Sequence, residues 1–427
     1  MKDKMIKYAR FIIKRCVRLD KGTPVVIAYQ PEQKEFVDVL KDEAKKLGAS
    51  NVYLTEEDMD KMRDILNKSS IEEIKTHPYF DKSIIKQVYD EKGCFIFLSS
   101  YSNKNLNGVD EEKIKTMNKL RASSQADSRD ARLRYEFPWC IPAVATQAWA
   151  DELFPNEENN YEKLWNLIFE ITMMNKEDPE KAWEQQINKN TSRKNILNEL
   201  KISKLRYKNN IGTDVEIGLP NNVVWQGTSK TNFNNTKDMI VNMPTYEVFT
   251  SPNKYMVNGV ITSSIPVFLR GNEIKDIKLT FKDGRLIDYS ASKGEDTLIK
   301  VIEEYDGMHY LGECAFVDYD SPINNTGLTY KTTLIDENRS CHIALGNSFV
   351  KSVLNGEKLT DEEKEKLGLN KCPNHVDIMI GTEDLNIIGI DVYGNEVQLF
   401  VNGNFEDEDV QKFVLNRKER YKWIQKN

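Results

Sequence analysis

In the stretch NKCPNHVDIMIG, residues 370–381, two ionisable side chains, His375 and Asp377, interrupt an otherwise apolar run. Side chains alternate faces along a strand, so His375 and Asp377 share one face while Val376, Ile378 and Ile380 share the other. An imidazole and a carboxylate presented together make half of a metal site, because both ligate borderline divalent ions. The same pair also suits a plain imidazole–carboxylate hydrogen bond. With only four histidines in the chain, His77, His309, His342 and His375, each can be weighed singly.

Further acids break apolar neighbourhoods downstream of residue 206. YLGECAFV places Glu313 between a glycine and an apolar run, TLIDENRSCHIALG holds Asp336, Glu337 and His342, and NMPTYEVFT places Glu247 just after Pro244. Taken singly, each acid could be a solvated surface carboxylate. Buried together, they would repel one another and lose hydration unless cations neutralised them. One or two divalent metals would do so, and two histidines with several carboxylates are the inventory of a two-metal hydrolytic centre. Neither H-E-x-x-H nor G-x-S-x-G occurs. His77 in KTHPYF reads as an ordinary loop residue; His309, four residues before Glu313, reads as a bystander or as a group orienting a ligand. The six cysteines show no C-x-x-C pair, which favours reduced, buried thiols over disulfides or a zinc knuckle.

Elements able to position these groups can be traced along the chain. TPVVIAYQ (23–30), the helical EFVDVLKDEAKKLG (35–48) and SNVYLTEE (50–57) form a βαβ unit, and CFIFLSS and WCIPAVAT supply more strands of a helix-covered parallel sheet. No Gly-rich nucleotide fingerprint follows any of them. A helical block runs through 161–175, 178–190 and 195–205, with Trp165 and Trp183 as core anchors. After about residue 206 short alternating strands take over, with hairpins at Asp283-Gly284 and Gly394-Asn395, two helices (EDTLIKVIEEY and DEEKEKLG) and a charged helical tail. The expected fold is an N-terminal parallel-sheet α/β domain with a helical connector (1–205), followed by a strand-rich, α+β C-terminal domain (206–427) that carries the chemistry.

At 427 residues and 39% hydrophobic content, two cores are expected. The net charge of -7, with no basic block, argues against nucleic acid as a partner. The basic N-terminus reads as an amphipathic helix and not as a signal peptide, and no run reaches the ~20 apolar residues of a membrane span. A cytoplasmic chain with no membrane partner is expected.

The segments NMPTYEVFTSP, LGECAFV, SPINNTGLTYKTTLIDENRSCHIALGNSF and HVDIMIGTEDLNIIGI, with GTDVEIGLP and SKTN upstream, resemble in order and spacing those of the metal-dependent aminopeptidase family that includes thermophilic aminopeptidase T, AmpS and PepS. The resemblance is specific over 206–403, weaker before it and absent from the tail. It implies a cytoplasmic exopeptidase, usually a homodimer, that removes N-terminal amino acids from peptide substrates at a centre of two divalent metal ions (zinc, cobalt or manganese), with a metal-bound hydroxide as nucleophile. By motif, the ligands would be Glu247, Glu313, Glu337, His342, His375 and Asp377. Glu313 is the candidate bridge, and a site carboxylate such as Glu313 or Glu337 would manage the proton. One position departs from the family: seven residues after His342, where a catalytic tyrosine is expected, stands Phe349. That substitution favours a rival reading, a metal-binding relative with weakened catalysis that binds peptides or acts as a scaffold; a third, lower option is a two-metal hydrolase acting on another amide or ester.

Overall fold

The computed structural model describes residues 1–80, 83–101, 104, 106, 108–231 and 238–426; the side chains of 122, 125–127, 129, 130, 133, 230, 231 and 417–426 are not described. Asn232 of the SKTN segment lies outside the described residues. The chain forms two compact units, Met1–Glu184 with Ser229–Thr245, and Gln185–Thr228 with Tyr246–Asn427.

In the first unit, β1 (Val25–Tyr29), β2 (Val52–Glu56), β3 (Cys94–Phe97), β4 (Trp139–Pro142) and β5 (Asn242–Met243) form one sheet in the order β2-β1-β3-β4-β5, every neighbouring pair parallel. Parallel strands need crossovers, and the Lys34–Lys46 helix joins β1 to β2 with Phe36, Val37 and Leu40 buried. Trp165 and Trp183 are fully buried; Trp165 packs between Phe36 and Phe169, and the Trp183 Nε1–H donates to Thr172 O at 2.7 Å.

The helical reading of 195–205 needs correction. The helix Pro179–Leu200 stops at Lys201, which adopts a left-handed φ of 53°, and Ile202–Lys208 is a strand. Its Ile202, Leu205 and Tyr207 are buried, and it is paired on both sides, so strand pairing outweighs the helical spacing of NILNELKISKL. This helix carries the chain from one unit to the next. Trp183 belongs to the first unit, whereas Leu197 and Leu200 join the core of the second, so the packing partner changes before the secondary structure does.

The second unit contains an eight-stranded antiparallel sheet and a four-stranded one. The larger sheet includes the expected Asp283-Gly284 hairpin, whose two central residues have φ of 50° and 84° as a two-residue turn of this hand requires. The smaller sheet runs in the order β6 (Val248–Thr250), β7 (Leu311–Phe316), β8 (His342–Gly346), β9 (His375–Met379), all antiparallel. Side chains of both sheets share one core, with Leu205, Ile217, Leu279 and Ile387 from the larger and Cys314, Ile343, Leu345 and Ile378 from the smaller. Full burial of each such aliphatic contributes about 1.5–3 kcal/mol. All six cysteines are free and buried, and among the described residues no helix is long and apolar enough to cross a membrane.

Candidate metal centre

The register of the four-stranded sheet brings the candidate ligands together. Glu313 pairs with Ala344 and Ala344 with Asp377, so these three form one row across β7, β8 and β9. His342 pairs with Ala315, and His375 with Gly346. Directly opposed residues project to the same face. Glu313, His342, His375 and Asp377 therefore share a face, while Cys314, Ile343, Leu345 and Ile378 turn to the core. Phe249, opposite Ala315, places β6 on the same face, and Glu247 lies two residues before it. On this face of β8 the positions that follow His342 are Ala344 and Gly346, which put little side-chain bulk between the acids of β7 and β9.

Two glycines let the backbones approach closely there. A Cβ on Gly312 would meet the Asn347 and Gly346 carbonyl oxygens at 2.3 and 2.4 Å, and one on Gly346, at φ 101°, would meet Asn374 O at 2.2 Å. The turn after Gly346 sends the Asn347 carbonyl to His375, whose Nδ1–H donates to it at 2.8 Å. That bond fixes the tautomer and leaves Nε2 facing the carboxylates. His375 Nε2 lies 3.0 Å from Glu313 Oε2 and 3.2 Å from Asp377 Oδ1, and His342 Nε2 lies 3.4 Å from Glu247 Oε2.

Two groups emerge, Glu247–Glu313–His342 and Glu313–His375–Asp377, each with candidate ligand atoms within 4.8 Å of one another. Glu313 belongs to both. Glu337, just past the short Thr333–Asp336 helix, lies outside both groups but close enough to feel their charges. The His375 side chain is the most open of the cluster's imidazoles, 26% exposed against 1% for His342, and the Phe349 ring lies edge-on to it at 5.2 Å between centroids. The cluster is therefore least covered on the His375–Phe349 side.

Electrostatics report a shortage of positive charge. Burial, and then the charges of Asp377 and Glu247, push Glu337 well above the usual carboxylate range. Burial raises Glu313 too, opposed in part by His375. Burial disfavours the His342 imidazolium, yet Glu247 and Glu313 outweigh it and push its pKa up to about 10. His375 is likewise driven up against burial by Asp377 and Glu313, whereas Asp377, despite burial, is pulled down by His375 and His342. Protons on imidazoles and carboxylates thus supply what cations would otherwise supply. Four ionised carboxylates with two neutral imidazoles carry the charge that two divalent ions balance, and the oxygen–nitrogen donor set suits zinc, cobalt or manganese, so the residues present fit such a group.

The other residues singled out in the sequence lie elsewhere or serve the backbone. His309 Nε2 approaches Glu303 at 3.4 Å, and His77 Nδ1 accepts from the Tyr79 N–H at 3.2 Å. Asp336, pushed up to about 7 by burial, accepts the Tyr330 N–H at 2.7 Å and braces its own loop. Tyr330 is fully buried, its hydroxyl donating to Thr326 Oγ1 at 3.2 Å. Sequence reasoning missed the Asn347 carbonyl, the spacer Ala344 and the amide of Asn338, which donates to Glu337 Oε1 at 3.3 Å. Only Asn338 left a trace, as the neighbour of Glu337.

A chain that has a parallel-sheet α/β unit and a strand-rich unit, the latter holding a largely buried cluster of imidazoles and carboxylates, has the equipment of a metal-dependent hydrolase. Comparison with known proteins makes this specific. A family model described as thermophilic metalloprotease (M29) matches residues 1–405, taking in the first unit as well as the second, and the chain belongs to that family. It is 33% identical to aminopeptidase PepS of Streptococcus thermophilus over 407 residues, 95% of this chain and 98% of that protein. To aminopeptidase AmpS of Bacillus subtilis (strain 168) it is 33% identical over 405 residues, 94% of this chain and 98% of that protein. A solved structure, wild-type AmpT from Thermus thermophilus, superposes with a TM-score of 0.86 at 30% identity, covering 95% of this chain and 99% of that one.

Proposed function

We propose that this chain is an aminopeptidase that removes N-terminal residues from peptides at a two-metal centre held by Glu247, Glu313, Glu337, His342, His375 and Asp377. The observation that carries the reading is the membership of Glu313 in both ligand groups, as a carboxylate bridging two ions must have. Bound divalent ions would polarise the first peptide carbonyl and make a water acidic enough to attack it at neutral pH. The chain's own part is to hold the His375 imidazole in one tautomer, to present the carboxylates from strands packed against a core, and to keep Phe349 and Phe249, 5.0 Å apart, as an apolar wall beside His375. A carboxylate of the cluster, Glu313 or Glu337, would take a proton from the attacking water and return it to the leaving amine.

The test is hydrolysis of a panel of aminoacyl amides and peptides, each with a free and an N-acetylated terminus, with and without chelator. Chelator-sensitive cleavage of the free-terminus compounds alone supports the reading. Equal cleavage of blocked peptides points to the other hydrolase. Metal binding with no cleavage of any substrate points to the weakened relative, which Phe349 favours. A cytoplasmic homodimer is part of the proposal, and a single monomeric species in sedimentation at micromolar concentration would contradict it.

A further inference from the structure

Glu247 lies just before β6 and Glu337 just after a short helix, so neither is fixed by the strand ladder that holds the other four candidate ligands. One buried side chain joins their two segments. Asn338 is fully inaccessible to solvent; its Oδ1 accepts the Tyr246 N–H at 2.6 Å, and its Nδ2 donates to Glu337 Oε1 and to Leu334 O, both at 3.3 Å. On the opposite side of the same segment, buried Asn190 donates from Nδ2 to Tyr246 O at 2.8 Å and to Glu247 O at 3.3 Å, and is itself anchored on Thr228 Oγ1 at 2.6 Å. Both polar groups of the Tyr246 backbone are thus taken by asparagine side chains.

A side-chain amide combines an acceptor and two donors in one rigid plane, which a hydroxyl or a carboxylate cannot match. A carboxylate in place of Asn338 would set another negative charge against Glu337, and an aliphatic would make neither contact. We infer that Asn338 is a positioning residue that sets the separation of Glu247 and Glu337, and with it the affinity of the centre for metal. Asn190 serves the same end from the other side. This rests on the reading of Glu247 and Glu337 as ligands.

The test is a Co²⁺ titration of the metal-stripped protein, followed by visible absorption and by chelator competition, with Asn338→Ala and the volume-matched Asn338→Leu. Loss of a group that orients a ligand typically costs about 10- to 100-fold in metal affinity. Both variants should show that loss for at least one ion and a changed cobalt spectrum, while their far-UV circular dichroism stays that of the wild type. Asn190→Ala should move affinity and spectrum the same way, and it decides the matter if the Asn338 variants do not fold. Wild-type affinity and spectrum in the folded variants would overturn the inference alone. A wild-type protein that binds no cobalt would overturn the metal-centre reading and this inference with it.

Discussion

Glu313 and Asp377 face each other across Ala344, in one row of three antiparallel strands. The alanine between them sets only a methyl group between the two acidic positions. Ala344→Leu should put a bulkier side chain there, abolish metal binding at the Glu313–His375–Asp377 group and cost about 1–3 kcal/mol of stability through overpacking. Metal analysis and thermal melts read the two effects separately, and an Ala344→Leu protein that keeps its full metal content would show that the row is not the site.

His375→Ala and Asp377→Ala should each release metal without unfolding the second unit, because the core face of β9 is carried by Ile378 and its neighbours and not by the pair. Unchanged stoichiometric metal in both variants would remove the centre from this strand.

Phe349→Tyr adds one oxygen to a ring already 5.2 Å from the His375 ring. A phenolic donor that meets the developing oxyanion strengthens only in the transition state, so kcat should rise by about 10- to 1,000-fold with little change in KM. Steady-state kinetics on an aminoacyl amide decide this. An unchanged kcat would mean that the chain does not need the missing hydroxyl.

Stabilisation by metal should grow with pH. In the metal-free protein the His342 pKa lies near 10, and that of His375 well above its ordinary value. The contribution of these imidazolium–carboxylate contacts is fully present below the unfolded histidine pKa of about 6.5 and is lost as pH rises through the folded values. Glu313 and Glu337, also raised, act in the same direction, and Asp377, lowered, matters only in acid. Metal replaces those protons, so the difference in Tm between loaded and stripped protein should widen from pH 6 to pH 9, with protons released on binding. A difference that narrows over that range would contradict the electrostatic picture.

How much could be read from the sequence depended on the range of the interaction. The shared face of His375 and Asp377 followed from strand alternation alone, and the βαβ start of the first unit from hydrophobic period. The grouping of Glu247, Glu313 and Glu337 could be suspected from the cost of burying acids, but their assignment came through family resemblance, because the contacts that join them are long-range. Register was invisible, so Ala344 and Asn338 went unremarked although one spaces the cluster and the other ties two of its segments. The helix end at Leu200 was misplaced because Ile202 and Leu205 fit either period, and only pairing with strands distant in the chain decides for β.

The central claim, that these six side chains form one centre for two ions, is tested most directly by anomalous diffraction from crystals of the cobalt-loaded protein. Two peaks about 3.5–4 Å apart are expected, with Glu313 ligating both, His342 and Glu247 on one, His375 and Asp377 on the other, and Glu337 within reach. A single peak away from Glu313, or no peak on this face of the sheet, would contradict it.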